Sequence, residues 1–272
     1  MNPTNIEAPV TLSRVASDTI PFARAVQRSG DGKVSLFGGT VIDDCQAAWT
    51  AGHANVTITT PAGTFASVMN HIACAAVPDT TNIAYKTIAS TDMSDDAAFG
   101  ILIKSSVALS EGDVQVGTDE TAAFASPQLV DLPAMEAGKW YYFNLEFGGV
   151  VGDRDAVIGF GLYNNSGGAL TTNLDVQWVG RGGIAYDIAG FAYADQTVED
   201  DQAVEYQDVE ILANGRISFI PLSDGETCLA EQRLYPIPGT GKLTTTEIVF
   251  GVRPITAAED QPTAGGDVMV VR

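Results

Sequence analysis

His53 and His71 are the only histidines in the chain, so they bound any acid–base or metal chemistry it could perform. Neither lies in a nucleophile or metal signature: there is no G-x-S-x-G, no H-E-x-x-H and no phosphate-cradling G-x-x-x-x-G-K-[ST]. His71 sits among apolar neighbours in "SVMNHIACAA", which predicts a hydrogen-bonded core or strand-edge imidazole rather than a general base. Carboxylates pair at Asp43–Asp44 and Asp95–Asp96 and run together at Glu199, Asp200 and Asp201. A polysaccharide hydrolase needs two such groups held at a fixed separation across a cleft. In a chain with 34 acids, adjacent pairs arise by composition, and solvated loops are expected at all three places. Asp92, Asp95 and Asp96 in "DMSDD", and Asp153 and Asp155 in "GDRD", could offer oxygens to a calcium ion. Neither stretch has the EF-hand spacing, so plain turns are expected and no metal or cofactor is assigned.

Three tryptophans could instead recognise a ligand by stacking. Trp140 opens an alternating run and Trp178 closes another, which assigns both to a core. Trp49 follows the acidic "DDCQAA" in a loop and is the candidate for an exposed, glycan-binding ring. Cys45, Cys74 and Cys228 are odd in number and widely spaced, as expected of reduced, buried thiols rather than disulfides or a zinc site.

The elements that must carry these residues read as β throughout. Short apolar or alternating runs recur ("VSLFGGTVI", "NVTITT", "AFGILIKSS", "WYYFNLEFG", "AVIGFGLY", "NLDVQWVG"), separated by clusters of Gly, Asn, Asp and Pro. In "WYYFNLEFG", Tyr141, Phe143, Leu145 and Phe147 share one face, the period of two expected of a half-buried strand. No window holds a helical period. Twenty-eight glycines and 12 prolines supply tight turns, pointing to an all-β sandwich or barrel.

Charge divides the chain further. Fourteen cations against 34 acids give −20, a surface that repels nucleic acid and anionic membrane, so neither is expected as a partner. Residues 1–40 depart from this, with Arg14, Arg24, Arg28 and Lys33 against Glu7, Asp18 and Asp31. They read as an extended N-terminal arm, followed by a body from 41 to 179 and, past the "GRGG" break at residues 180–183, a third region to 272. No apolar run is long enough to cross a bilayer, and the N-terminus lacks the basic-then-apolar order of a signal peptide. Synthesis and retention in the cytoplasm are the expectation.

Two stretches resemble known families. "DDCQAAWTAG", "ILIKSSVALSEGDVQVGTDE" and "LVDLPAMEAGKWYYFNLEF", in that order across residues 41–178, resemble jelly-roll modules of carbohydrate-binding type found in structural proteins of tailed bacteriophages. Residues Gly190–Ala192, "VEDDQAV", Gly215, "GKLTTT", "VFGV" and "GGDVMVVR" resemble, in order, the small β-barrel family of phage capsid decoration proteins. One departure is "ISFIPLSDGETCLA", longer and more polar than the family's apolar segment. The resemblance implies an all-β chain with an extended N-terminal arm (1–40), a jelly-roll β-sandwich (41–179) and a smaller C-terminal β-barrel (180–272). It implies a non-enzymatic protein of the outer capsid surface that bridges capsid subunits and stabilises the head. Its partners would be the major capsid protein and its own copies, as a homotrimer. Arg14, Arg24 and Arg28 would then contact the shell. The alternative is a tail-fibre or baseplate module that binds glycan.

Overall fold

The computed structural model describes residues 10–15, 20–21, 25–28, 34–96, 98–147, 154–182, 188–193, 202–203, 208–214, 216–222, 226–228, 232–240, 242–249, 255–257 and 267–271. Their regular secondary structure is almost entirely strand, with a single 3-10 turn at Ala122–Phe124 among the described residues. The all-β expectation is met. The chain folds as two compact units. One comprises Val41–Ile184 with Ile248–Phe250; the other comprises Met1–Thr40, Ala185–Glu247 and Gly251–Arg272.

Four strands precede the first unit: β1 (Val10–Val15), β2 (Ile20–Pro21), β3 (Ala25–Arg28) and β4 (Val34–Leu36). The sandwich follows with β5 (Thr40–Asp43), β6 (Thr50–Ala51), β7 (Val56–Thr59), β8 (Asn70–Val77), β9 (Thr81–Thr91) and β10 (Ala98–Ser105). It is completed by β11 (Val114–Asp119), β12 (Gln128–Asp131), β13 (Trp140–Glu146), β14 (Val157–Asn164) and β15 (Leu170–Gly182). The last region contributes β16 (Ile188–Tyr193), β17 (Gln202–Ala203), β18 (Asp208–Asn214), β19 (Arg216–Pro221) and β20 (Arg233–Pro236). It ends with β21 (Leu243–Thr244), β22 (Ile248–Val249), β23 (Ile255–Ala257) and β24 (Asp267–Val271).

In the sandwich, one sheet runs β22-β13-β10-β15-β8-β7 with β5 also on β15; the other runs β12-β11-β14-β9-β6. The alternation read from the sequence sets which side chains meet between them. Tyr141 and Leu145 of β13, and Phe99, Ile101 and Ile103 of β10, face Ile83, Val116, Phe160 and Leu162 of the opposite sheet, with Phe143 and Phe147 packed against that core. Phe160 is edge-on to both Trp49 and Phe99, the ring arrangement that aromatic quadrupoles favour. β15 runs on to Gly182, into the segment taken from sequence as a break.

The segment expected to be an extended arm carries ladders. β1 pairs antiparallel with β18 over Val10–Val15, and β3 lies between β16 and β4 in a sheet of order β1-β18-β16-β3-β4. Its end is fixed too. Phe37 is fully buried and its carbonyl accepts from the Gly239 amide at 2.7 Å. Gly38 follows at φ +102°, where a Cβ would lie 2.6 Å from that amide nitrogen, so only glycine fits. Residues 1–40 therefore group with the C-terminal region instead of standing apart, because their backbone groups find partners there.

The chain's last strand is also held on both sides: β24 pairs antiparallel with β19 and with β23. In "GKLTTT", Thr244 and Thr245 bond the carboxylate of Glu226, Thr244 Oγ1 at 2.5 Å and the Thr245 amide at 2.6 Å. Glu226 comes from the polar stretch "ISFIPLSDGETCLA".

Candidate functional site

Trp49 is not an exposed platform. It is 4% exposed and belongs to the core, so its assignment to glycan binding from sequence is corrected here. Its stretch does lie outside regular strands, as expected, but polar groups turn the indole inward. The Trp49 amide donates to Asn70 Oδ1 at 2.9 Å, and Asn70, itself buried, donates to the carbonyls of Cys45 and Ala47. The indole Nε1 donates to Asp43 Oδ2 at 2.7 Å, giving the ring's one polar atom a buried partner. Trp140 and Trp178 are buried, as expected from sequence, but neither belongs to the cluster between the two sheets.

The remaining residues singled out from sequence are dispersed. Asp43 is buried against Trp49 while Asp44 is exposed and bonds the Gln46 amide. Asp92 accepts from the amide and hydroxyl of Ser94, which together hold its carboxyl below the usual range. Asp96 pairs with Arg181 at 2.6 Å. No trio of His, Cys, Asp or Glu is placed to hold a metal among the described residues. A cavity of about 410 Å³ is lined by Asp119, Glu120, Thr121, Ser126, Pro127 and Gln128. Both Asp119 oxygens are engaged there, by Thr121 and by the Ser126 amide, in a turn that carries Ala123 and Phe124 at positive φ. Arg14 and Arg28 lie in β1 and β3, their side chains outside the described part; Arg24, Asp153 and Glu199–Asp201 lie outside the described residues.

Burial pushes the Cys74 thiol up to about 11, and burial together with the neighbouring Asp43 carboxylate raises Cys45 further. At pH 8 roughly a thousandth of Cys74 would be thiolate, the form that reacts. We expect iodoacetamide to leave both thiols unmodified in the folded chain and to label them on unfolding. Stoichiometric labelling without denaturant, read by mass spectrometry, would contradict the buried assignment.

One constellation was missed in the sequence. On the outer face of the larger sheet a row crosses five strands in register: Trp140 opposite Lys104, Lys104 opposite Asp175, Asp175 opposite His71, His71 opposite Thr59. Lys104 Nζ lies 4.8 Å from the centre of the Trp140 ring and 2.9 Å from Asp175 Oδ2. His71 Nδ1 is 2.6 Å from Asp175 Oδ1; a carboxylate can only accept, so Nδ1 carries the proton. Asp175 is 10% exposed and thus shared by two donors at the sheet surface, with Lys104 at 25% and His71 at 32%. Among the described residues no hydroxyl or thiol is hydrogen-bonded to His71, whose imidazole is oriented by Asp175. The available signal was small: in "LDVQWV", Asp175 and Gln177 alternate with the core residues Leu174 and Val176.

Beside this row lies a second feature. The β7–β8 connection folds back on itself through an Ala62–Val68 bridge, with the Gly63 amide donating to Ser67 O and the Met69 amide to Pro61 O. Its tip residue Phe65 meets the Trp140 ring edge-on, centroids 5.3 Å apart, and its amide donates to Gln177 Oε1 at 3.2 Å. Gln177 occupies a register shift between β15 and β10, where Leu102 pairs with Trp178 but Ile103 with Val176. The bulge aims the amide at this loop. Gln177 is 2% exposed, and its Nε2 has no hydrogen-bond partner.

The fold is of the all-β class, built around a two-sheet sandwich. No protein-family model matches the chain, and no curated protein matches it. Solved structures with some likeness include the CBM22-1 xylan-binding domain of Paenibacillus barcinonensis Xyn10C, at 9% identity and TM-score 0.34, covering 54% of this chain and 94% of that one. Arabinose-bound MgGH51 α-L-arabinofuranosidase matches at 13% identity and TM-score 0.37, covering 64% of this chain and 31% of the enzyme. An exo-β-agarase matches at 11% identity and TM-score 0.33, covering 61% and 29%. The chain spans about a third of each enzyme's length.

Proposed function

We propose that the chain is a non-enzymatic structural protein of a tailed-phage virion, made in the host cytoplasm, which decorates the outer capsid surface and bridges capsid subunits. The observation that carries this reading is the order of decoration-type motifs from Gly190 to "GGDVMVVR", with the final piece forming a strand held between β19 and β23. The strongly acidic body suits a solvent-facing coat. Many modest contacts repeated by symmetry would resist internal pressure without a catalytic group. On this reading the region from 180 to 272 is the decoration-type barrel, the partner is the major capsid protein, and Arg14, Arg24 and Arg28 meet shell carboxylates. Self-association as a homotrimer would match a three-fold position on the lattice.

The test is to add the purified chain to undecorated heads and image them. Regular occupancy across the head lattice is expected, together with weaker attachment as salt is raised, because the contacts are ionic. Reversing Arg14, Arg24 and Arg28 to Glu should reduce occupancy at least tenfold while leaving the far-UV circular dichroism unchanged. Attachment of a few copies at the tail, or none at all, would overturn the proposal.

A further inference from the structure

We propose that the outer sheet face around Trp140 and Gln177 is a peptide-recognition surface, occupied in cis by residues 61–69 and open to an aromatic-bearing peptide segment of a partner protein. The chemistry follows from what already sits there. The occupant is a peptide: it offers an aromatic side chain, Phe65, to Trp140 and a backbone N–H to Gln177 Oε1. A primary amide can match a peptide group at both ends, with Oε1 accepting an N–H and Nε2 donating to a carbonyl. In cis only the first bond forms, and the second end of Gln177 is buried with nothing to donate to. An orphaned buried donor weakens the closed state, so a segment that satisfies both ends has an advantage over the loop.

The fit in cis is also tight. Gly63 lies against the Gln177 amide, and a Cβ there would come within 2.6 Å of the Ala66 carbonyl oxygen. The loop's own polar contacts are few: two internal amide bonds, Phe65 to Gln177, and Ser67 to Gln46. Alongside, the Lys104–Asp175–His71 row offers both signs of charge to groups flanking the aromatic residue.

The probe is a synthetic peptide of the loop's own sequence, PAGTFASV, added to the full chain carrying Phe65→Ala and labelled with 5-fluorotryptophan. Replacing Phe65 removes the ring contact that holds the loop against Trp140, so the peptide competes with a weakened occupant for both ends of Gln177. The fluorine resonance of Trp140 should shift and saturate with peptide while that of buried Trp49 stays fixed, which also reports that the variant is folded. A peptide with Ala for Phe should bind about tenfold more weakly, the worth of one aromatic pair. Adding Gln177→Leu should abolish saturation. If Phe65→Ala fails to fold, Gly63→Ala serves, since its clash displaces the loop directly. No shift of Trp140, equal shifts from both peptides, or a shift produced only by soluble oligosaccharides would overturn the assignment.

Discussion

Replacing Trp49 by Ala should destabilise the sandwich by about 3–5 kcal/mol, the range for deleting a buried large aromatic. Domains of ordinary stability hold about 5–15 kcal/mol in all, so the variant should be marginal at room temperature. Two losses combine. The indole leaves a void beside Phe160, and the buried Asp43 carboxylate loses its bond from the indole N–H, keeping the Cys45 thiol and Lys86 at 3.7 Å. Trp49→Phe separates them: it keeps most of the ring volume and removes only the N–H, so a loss of about 1–3 kcal/mol is expected. Denaturant melts of the two variants check both values. A Trp49→Ala variant with wild-type stability would restore the exposed-platform reading and contradict the core placement.

Deleting residues 1–30 should remove the ordered sheet of the second unit while sparing the sandwich. The deletion takes β1 from β18 along six paired residues, and it takes β3 from between β16 and β4. Each backbone bond contributes about 0.5–1.5 kcal/mol net, so losing these ladders together rivals a domain's whole margin. The segment expected from sequence to be an extended arm over residues 1–40 groups instead with the second unit. The measurement has a built-in control, since Trp49, Trp140 and Trp178 all lie in the sandwich unit. Tryptophan emission should melt as in the full chain, while the far-UV signal loses strand content beyond that of 30 residues. A truncated chain with full strand signal and no new exposed surface would reinstate the free arm. For that reason, attachment to heads is better tested by charge reversal than by truncation.

What was legible in the sequence was local. The alternation in "WYYFNLEFG" placed Tyr141, Phe143 and Leu145 toward the core, because a strand's side-chain period depends on nothing beyond the strand. Of the acidic runs expected in solvated loops, Asp95–Asp96 does lie in a turn, but Asp43 ends β5 and is buried, because the Trp49 indole and Lys86 give its carboxylate partners; Glu199–Asp201 lies outside the described residues. The outer-face row was hidden for the opposite reason: His71 and Asp175 are 104 residues apart, and only the register of β15 against β8 brings them together. Trp49 was misplaced because its segment is a loop, and loops are taken to be exposed. Here one buried asparagine, Asn70, ties the loop's backbone down and carries the indole inside. The arm was misjudged on similar grounds. Its near-neutral charge and scattered apolar positions carry no trace of pairing partners that come about 200 residues later, such as Asn214 opposite Val10.

Strand β22 is only Ile248–Val249, yet it lies parallel to Trp140–Tyr141 at the margin of the larger sheet. It covers part of an edge that would otherwise invite pairing with another chain. On the ribosome this means that the sandwich, though its other strands are all made by residue 182, must wait for some 65 further residues before that margin is sealed. During synthesis the unfinished edge is exposed next to identical nascent chains on the same message. The sandwich thus carries its greatest aggregation hazard in the interval before Val249 emerges, when that margin has no strand to cover it.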